Sequence, residues 1–206
     1  MLITRDQLLK IVPNLSKDRA EKLADMLNYQ CLSYGINTKD IFHEFLANVI
    51  HESGSFRLKE ESMSYSAKRI CKVWPSRFAK IEYAMPFANN PCKLAIIVYG
   101  GRMGNRQKTD DGFNFRGGGF MQLTGRDMYT RYQKYIAFDT VENTANAVRT
   151  DDYYALDSAC WLFAVEKRLI QDAIDDKFER IVRLINGGLI GWHERQEIYD
   201  RVKKYI

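Results

Sequence analysis

The sequence predicts a mainly α-helical domain of the α+β class, with one small β-hairpin, over residues 1–206. Three observations predict it. Apolar residues recur at three- and four-residue intervals along most of the chain. Helix-starting residues stand just before those stretches. One glycine-centred segment alone has strand character. With 46% hydrophobic and 13% aromatic residues, the chain has enough apolar material for a sizeable core and does not read as disordered.

The elements follow in order. Thr4 with Gln7 forms a capping box for a first helix, which Pro13 ends. Ser16 opens a second helix with Ala20, Leu23 and Leu27 on one side, and Gly35 closes it. Asn37 or Thr38 caps a third, running to about Glu52 with Gly54 just beyond. Further helices are expected near 66–74, 91–99, 126–136, 152–170, 178–186 and 193–205. Phe113 to Arg116 and Phe120 to Thr124, on either side of Gly117, Gly118 and Gly119, read as the hairpin. No repeat, linker or low-complexity tract interrupts the chain, so one mainly helical domain with a small sheet is expected.

Composition narrows the function. The net charge of +5, from 31 basic and 26 acidic residues, is too mild for a typical nucleic-acid binder. It suits an anionic partner such as a wall polymer or an acidic lipid surface, or it is plain solvated surface. Cys31, Cys71, Cys92 and Cys160 show no CxxC spacing and read as reduced, scattered thiols. The amino terminus, MLITRDQLLKIVPNL, has charges inside its only apolar run and no cleavage site, so it is not a standard signal peptide. Cytoplasmic synthesis is expected, with another factor delivering the protein to any substrate outside. No apolar run is long enough to span a bilayer.

The third helix carries the chemical signal. Phe42, Phe45, Leu46 and Val49 make a buried stripe, and the same spacing puts Glu52 on it. A carboxyl there is costly unless paired or protonated. Desolvation and the negative end of the helix dipole are both expected to raise its pKa, as a general acid needs. The plainer reading is a helix-end Glu bridged to an Arg. Nine residues on, Glu60 and Glu61 lie among polar neighbours that favour an ionised carboxylate, suited to a general base. Two carboxylates in opposite environments are the minimum equipment for glycoside hydrolysis.

Three glycine-rich stretches accompany the acids. Tyr99 to Asn105 offers Tyr99, Arg102 and Asn105 on a turn-prone backbone. Phe115 to Gly125 offers Arg116, Gln122 and Thr124, and Ile185 to Gly188 offers Asn186, which also suits a helix C-cap. Glycine lets backbone approach a ligand closely, while Arg, Asn and Tyr bond sugar hydroxyls and acetamides. Singly, each stretch reads equally as a loop.

Together these residues resemble the family 19 glycoside hydrolases, the chitinase-type family, and within it the single-domain phage endolysins. The matching stretches are HESGSFRLKEESMSYSA at 51–67, YGGRMGN at 99–105, FRGGGFMQLTGRDMY at 115–129 and INGGLIGWHER at 185–195. The resemblance implies a lysozyme-like fold and cleavage of β-1,4 bonds in peptidoglycan or chitin, without a cofactor. It puts the general acid on Glu52, the second carboxylate on Glu61 and a water-holding hydroxyl on Thr124. It implies substrate contacts from Tyr99, Arg102, Asn105, Arg116, Gln122 and Asn186, and a charge pairing of Arg195 with the acid. It also implies an inverting enzyme, its carboxyl groups roughly 6.5–9.5 Å apart. The sequence departs from the family pattern at Gly118, where an Arg is usual, at Ile190, where an Asn is usual, and at Gly100-Gly101, where Ala-Asn is common.

Chitin is the alternative substrate, and a glycan-binding module that does not cut is the alternative class; retention of both glutamates and Thr124 argues against the latter. A metalloenzyme is suggested by His43-Glu44, His51-Glu52 and His193-Glu194, but no HExxH spacing occurs, and no metal is expected. At the carboxy terminus Ile198, Val202 and Tyr205 form an apolar stripe flanked by Arg195, Arg201, Lys203 and Lys204. That helix is expected to dock on the core, with at most weak contact to anionic lipid. A monomer that binds no nucleic acid completes the expectation.

Overall fold

Local chemistry starts the helices where the sequence expects them. In the computed structural model, which describes all 206 residues, Thr4 and Gln7 close a reciprocal capping box ahead of α1 (Arg5–Ile11). Ser16 and Thr38 accept from backbone amides to cap α2 (Lys17–Ser33) and α3 (Lys39–Glu52). Then come α4 (Ala67–Val73), α5 (Ile81–Ala84), α6 (Pro91–Tyr99), α7 (Asp111–Asn114), α8 (Arg126–Ile136) and α9 (Val141–Thr150). The chain ends in α10 (Asp152–Trp161), α11 (Ile170–Ile174), α12 (Phe178–Asn186) and α13 (Trp192–Tyr205). No helix is long and apolar enough to cross a membrane.

The chain divides into two compact units. The first comprises Met1–Lys59, Gly119–Gln122 and Val148–Ile206; the second comprises Glu60–Gly118 and Leu123–Ala147. In the first unit, α3 is buried along most of its length, with Phe42, Phe45, Leu46 and Val49 all solvent-free. Each such side chain is worth about 1.5–3 kcal/mol of burial. Helix α13 packs on α3 and α1, burying Ile198 and Val202, so the apolar stripe of the carboxy-terminal helix docks on the core. Cys31 and Cys160 are buried free thiols, with their sulfurs 4.0 Å apart. In the second unit Met63, Ile70, Phe78, Leu94, Ala95 and Val98 form the core, with Tyr65, Trp74, Tyr99 and Phe113 packed against it.

The expected β-hairpin does not form. Phe113 and Asn114 belong to α7. The pairing that remains is isolated: Gly118 bridges Glu60 and Leu123, one residue at a time. The ladder cannot extend because Gly119 and Gln122 have φ of 77° and 55°, and the Phe120 amide donates to the Ala155 carbonyl at 3.1 Å. The helix expected over 152–170 also breaks. After Trp161 the turn widens, with the Lys167 amide reaching back five residues to Leu162, and Arg168 has φ 55°. Helix α9 was not expected, since Asn and Thr are poor helix formers; Thr140 caps it by accepting from the Asn143 amide at 3.1 Å.

Candidate active site

Glu52 is the last residue of α3, half-buried at the edge of its apolar stripe. One turn earlier, Asn48 is fully buried on the same helix. The Arg195 guanidinium, 1% exposed, links the two: Nη1 donates to Asn48 Oδ1 at 2.8 Å and Nη2 forms a salt bridge with Glu52 Oε1. Arg195 lies in the first turn of α13, and its amide donates to the Gly191 carbonyl at 3.0 Å. Gly191 has φ 73°, and a Cβ there would stand 2.7 Å from the His51 ring, so this close approach needs glycine. His51 Nδ1 lies 3.6 Å from the Glu194 carboxylate, and burial lowers its pKa.

Glu60 and Glu61, of which the family resemblance puts the second carboxylate on Glu61, have different partners in the second unit. Glu60 is exposed and pairs with Arg116 Nη2 at 3.0 Å. Glu61 is half-buried, its amide donating to the Gly117 carbonyl at 2.9 Å. The Tyr99 hydroxyl donates toward both Glu61 oxygens, at 2.8 and 3.0 Å, and the Gly117 amide lies 3.3 Å from Oε2. Burial, and then the Glu61 charge, push the Tyr99 pKa well above its ordinary value.

The remaining expected site residues divide by exposure. Arg102 is exposed, with Nη1 3.4 Å from the Val98 carbonyl. Asn105 is buried: its Nδ2 donates to the Tyr99 carbonyl at 3.1 Å and its Oδ1 accepts the Arg126 amide at 2.9 Å, so it ties the loop together. Arg116 is buried too, stacked 3.9 Å from the Phe113 ring centre while its Nη1 donates to the Phe113 carbonyl. Thr124 is half-buried in the second unit. In the first unit, half-buried Gln122 donates to the Gly119 carbonyl at 3.2 Å, and half-buried Asn186 to the Ile190 carbonyl at 3.2 Å. Gly187, rather than Asn186, caps α12 in a left-handed conformation.

Sequence reasoning missed Asn48 and the hold of Tyr99 on Glu61. Asn48 had a signal: a polar residue four positions before Glu52, where an apolar one would continue the stripe. The three histidines do not converge on one place, and no group of three His, Cys, Asp or Glu side chains is arranged to hold a metal.

No family model matches the chain. A curated protein of Haemophilus influenzae, described as a glycosyl hydrolase family 19 domain-containing protein, is 31% identical over 156 residues, covering 75% of this chain and 74% of its own length. The chain belongs to glycosyl hydrolase family 19 and is a glycoside hydrolase. Among solved structures, chitinase C from Streptomyces griseus matches with a TM-score of 0.63 over 99% of this chain and 76% of its own, at 18% identity. A crystal structure of a chitinase C mutant matches with the same TM-score of 0.63 at 17% identity. The mostly helical architecture is therefore the lysozyme-like fold of family 19.

Proposed function

We propose that this glycoside hydrolase cuts β-1,4 bonds of bacterial peptidoglycan, in the manner of a phage endolysin that lyses its host. In this reading Glu52 is the general acid that protonates the leaving oxygen. Glu61 is the general base that deprotonates a water attacking the opposite face of the sugar, giving inversion. Thr124 helps to hold that water. Arg102, Gln122 and Asn186, all at least partly accessible, are the remaining candidates for sugar contacts.

One observation carries the reading: both carboxylates are held in place, each by its own partners. Glu52 is salt-bridged to a buried guanidinium that Asn48 fixes in turn, whereas Glu61 accepts neutral donors from Tyr99 and Gly117. Two fixed carboxyls are what a two-carboxylate mechanism needs, and the division of acid and base between them is the one the family resemblance implies. Chitin is the second reading, favoured by the structural likeness to chitinase C.

The experiment is mass spectrometry of fragments from purified peptidoglycan, run beside chitin oligomers. Reducing-end N-acetylmuramic acid means a muramidase, and reducing-end N-acetylglucosamine a glucosaminidase. Cleavage of chitin oligomers alone transfers the assignment to chitin, and free peptides would sink the glycosidase reading. Proton NMR of the first-formed anomer tests inversion. Net retention would make Glu61 a nucleophile or point to substrate-assisted chemistry.

A further inference from the structure

We propose that Tyr99 is a positioning residue for the Glu61 carboxylate, holding the base in one rotamer through its hydroxyl instead of contacting the sugar. The inference rests on reading Glu61 as the base.

The geometry is specific. A tyrosine hydroxyl has one hydrogen, and here it points between two carboxylate oxygens at 2.8 and 3.0 Å. With both oxygens inside hydrogen-bond range, rotation of the carboxylate about its terminal bond is opposed from either side. The Gly117 amide adds a second, longer contact at 3.3 Å to Oε2. The backbone of Glu61 is pinned by its bond to the Gly117 carbonyl. The charged and titratable groups around this contact include Glu60, bound to Arg116, Tyr65, whose pKa is raised by burial and by the Glu61 charge, and Arg102, whose charge acts on the Tyr99 hydroxyl.

Tyr99 itself is fixed from behind. It is the last residue of α6, and its ring packs against the core of Met63, Leu94 and Val98. Its carbonyl accepts from Asn105 Nδ2 at 3.1 Å and from the Arg102 amide at 3.2 Å. The chain leaves the helix through Gly100, where a Cβ would lie 2.4 Å from the Ile96 carbonyl oxygen. The hydroxyl stays protonated across any working pH, because burial and the Glu61 charge hold its pKa high. It is therefore a constant donor, and the buried Asn105 acts at one remove by holding Tyr99.

The consequence is separable from substrate binding. A donor that orients the base acts on the step in which water is deprotonated, so its loss appears in kcat. A hydrogen bond to a charged group is worth roughly 10- to 100-fold. The Tyr99→Phe enzyme is expected to lose about that factor in kcat, with KM held within about twofold. The acid limb of its rate profile should move to higher pH, since a carboxylate stripped of a donor takes a proton more readily. A raised KM with unchanged kcat, or an unmoved acid limb, would overturn the proposal and make Tyr99 a sugar contact. Glu61→Gln serves as the arbiter of the underlying reading: if it keeps near-normal activity, Glu61 is not the base, whatever Tyr99→Phe does. Should Tyr99→Phe fail to fold, fluorotyrosine at position 99 keeps the ring and hydroxyl and strengthens the donor. The acid limb must then move to lower pH, and an unmoved limb counts against the proposal.

Discussion

Asp111 and Arg126 form a two-bond carboxylate–guanidinium pair, both contacts 2.9 Å long, in a place where the aspartate side chain is 2% exposed. Arg106 adds a second fork and its own amide to the same carboxylate. Together they fasten the end of the YGGRMGN loop and the starts of α7 and α8. The bonds from Arg126 and then Arg106 hold the Asp111 pKa far below its ordinary value of 3.8. A depressed folded-state pKa gives stability that is present above the ordinary value and lost as pH falls below it.

Asp111→Asn is therefore expected to cost about 3 kcal/mol near neutrality, since it leaves Arg106 without its counter-charge and Arg126 with Glu142 alone. Urea titrations at neutral pH and below the ordinary aspartate value check this. The deficit should shrink as pH falls below 3.8, because the unfolded wild-type chain then takes up a proton that the folded carboxylate does not. A deficit unchanged by pH would mean that shape, not charge, sets the cost.

Glu52 separates catalysis from stability. Glu52→Gln keeps an oxygen acceptor for Arg195 but cannot donate the proton, so hydrolysis should fall by roughly 100- to 10,000-fold, while stability falls by less than in Glu52→Ala because the counter-charge is lost and the hydrogen bond is kept. Glu52→Ala should lose as much activity and, in addition, about 2–3 kcal/mol of stability, because the buried guanidinium then keeps only Asn48. Turnover assays and thermal melts on the pair decide the matter. Near-normal turnover in folded Glu52→Gln would remove Glu52 from the mechanism.

Much of this arrangement is legible in the sequence, for reasons that differ by residue. Thr4, Ser16 and Thr38 act through bonds within three residues, so their caps can be read without tertiary knowledge. Glu52 stands out because the stripe of α3 is regular. The bond from Tyr99 to Glu61 spans 38 positions, and that from Arg195 to Glu52 spans 143, so no periodicity reports them. The family resemblance supplied the second and assigned Tyr99 to the sugar. The hairpin reading failed because glycines beside apolar residues suit a tight turn as well as a strand pair. Which of the two forms depends on the Lys59 and Ala155 carbonyls, which accept the Gly119 and Phe120 amides.

Glu44 predicts alkaline weakness. It is 1% exposed in α3, and neither carboxyl oxygen has a hydrogen-bond partner. Burial, and then the charge of Asp176, push its pKa from 4.5 up to about 8. Because the folded value lies above the ordinary one, the folded protein holds a proton that the unfolded chain has released. The contribution is intact below 4.5 and is lost as pH rises through about 8. Wild type should thus lose on the order of a few kcal/mol relative to Glu44→Gln between about pH 5 and pH 9. Denaturant melts of both proteins across that range would show parallel curves if Glu44 finds a partner in solution.

Gly187 and Gly191 form a matched pair, both with φ 73° and only one crowded. At Gly187 an added Cβ meets nothing within 4 Å, so Gly187→Ala pays only left-handed strain, about 1–2 kcal/mol. At Gly191 the same methyl group would stand 2.7 Å from two atoms of the His51 ring. The ring or the backbone must move, and either displacement reaches the acid: His51 precedes Glu52, while the Gly191 carbonyl accepts the amide of Arg195. Gly191→Ala should therefore lose more stability than Gly187→Ala. It should also lose turnover, by tenfold or more for a misplacement of a few tenths of an ångström to 1 Å. Melts and single-substrate kinetics on the two variants test this, and equal losses in both would show that His51 yields freely and that Arg195 keeps its hold on Glu52 without a fixed Gly191.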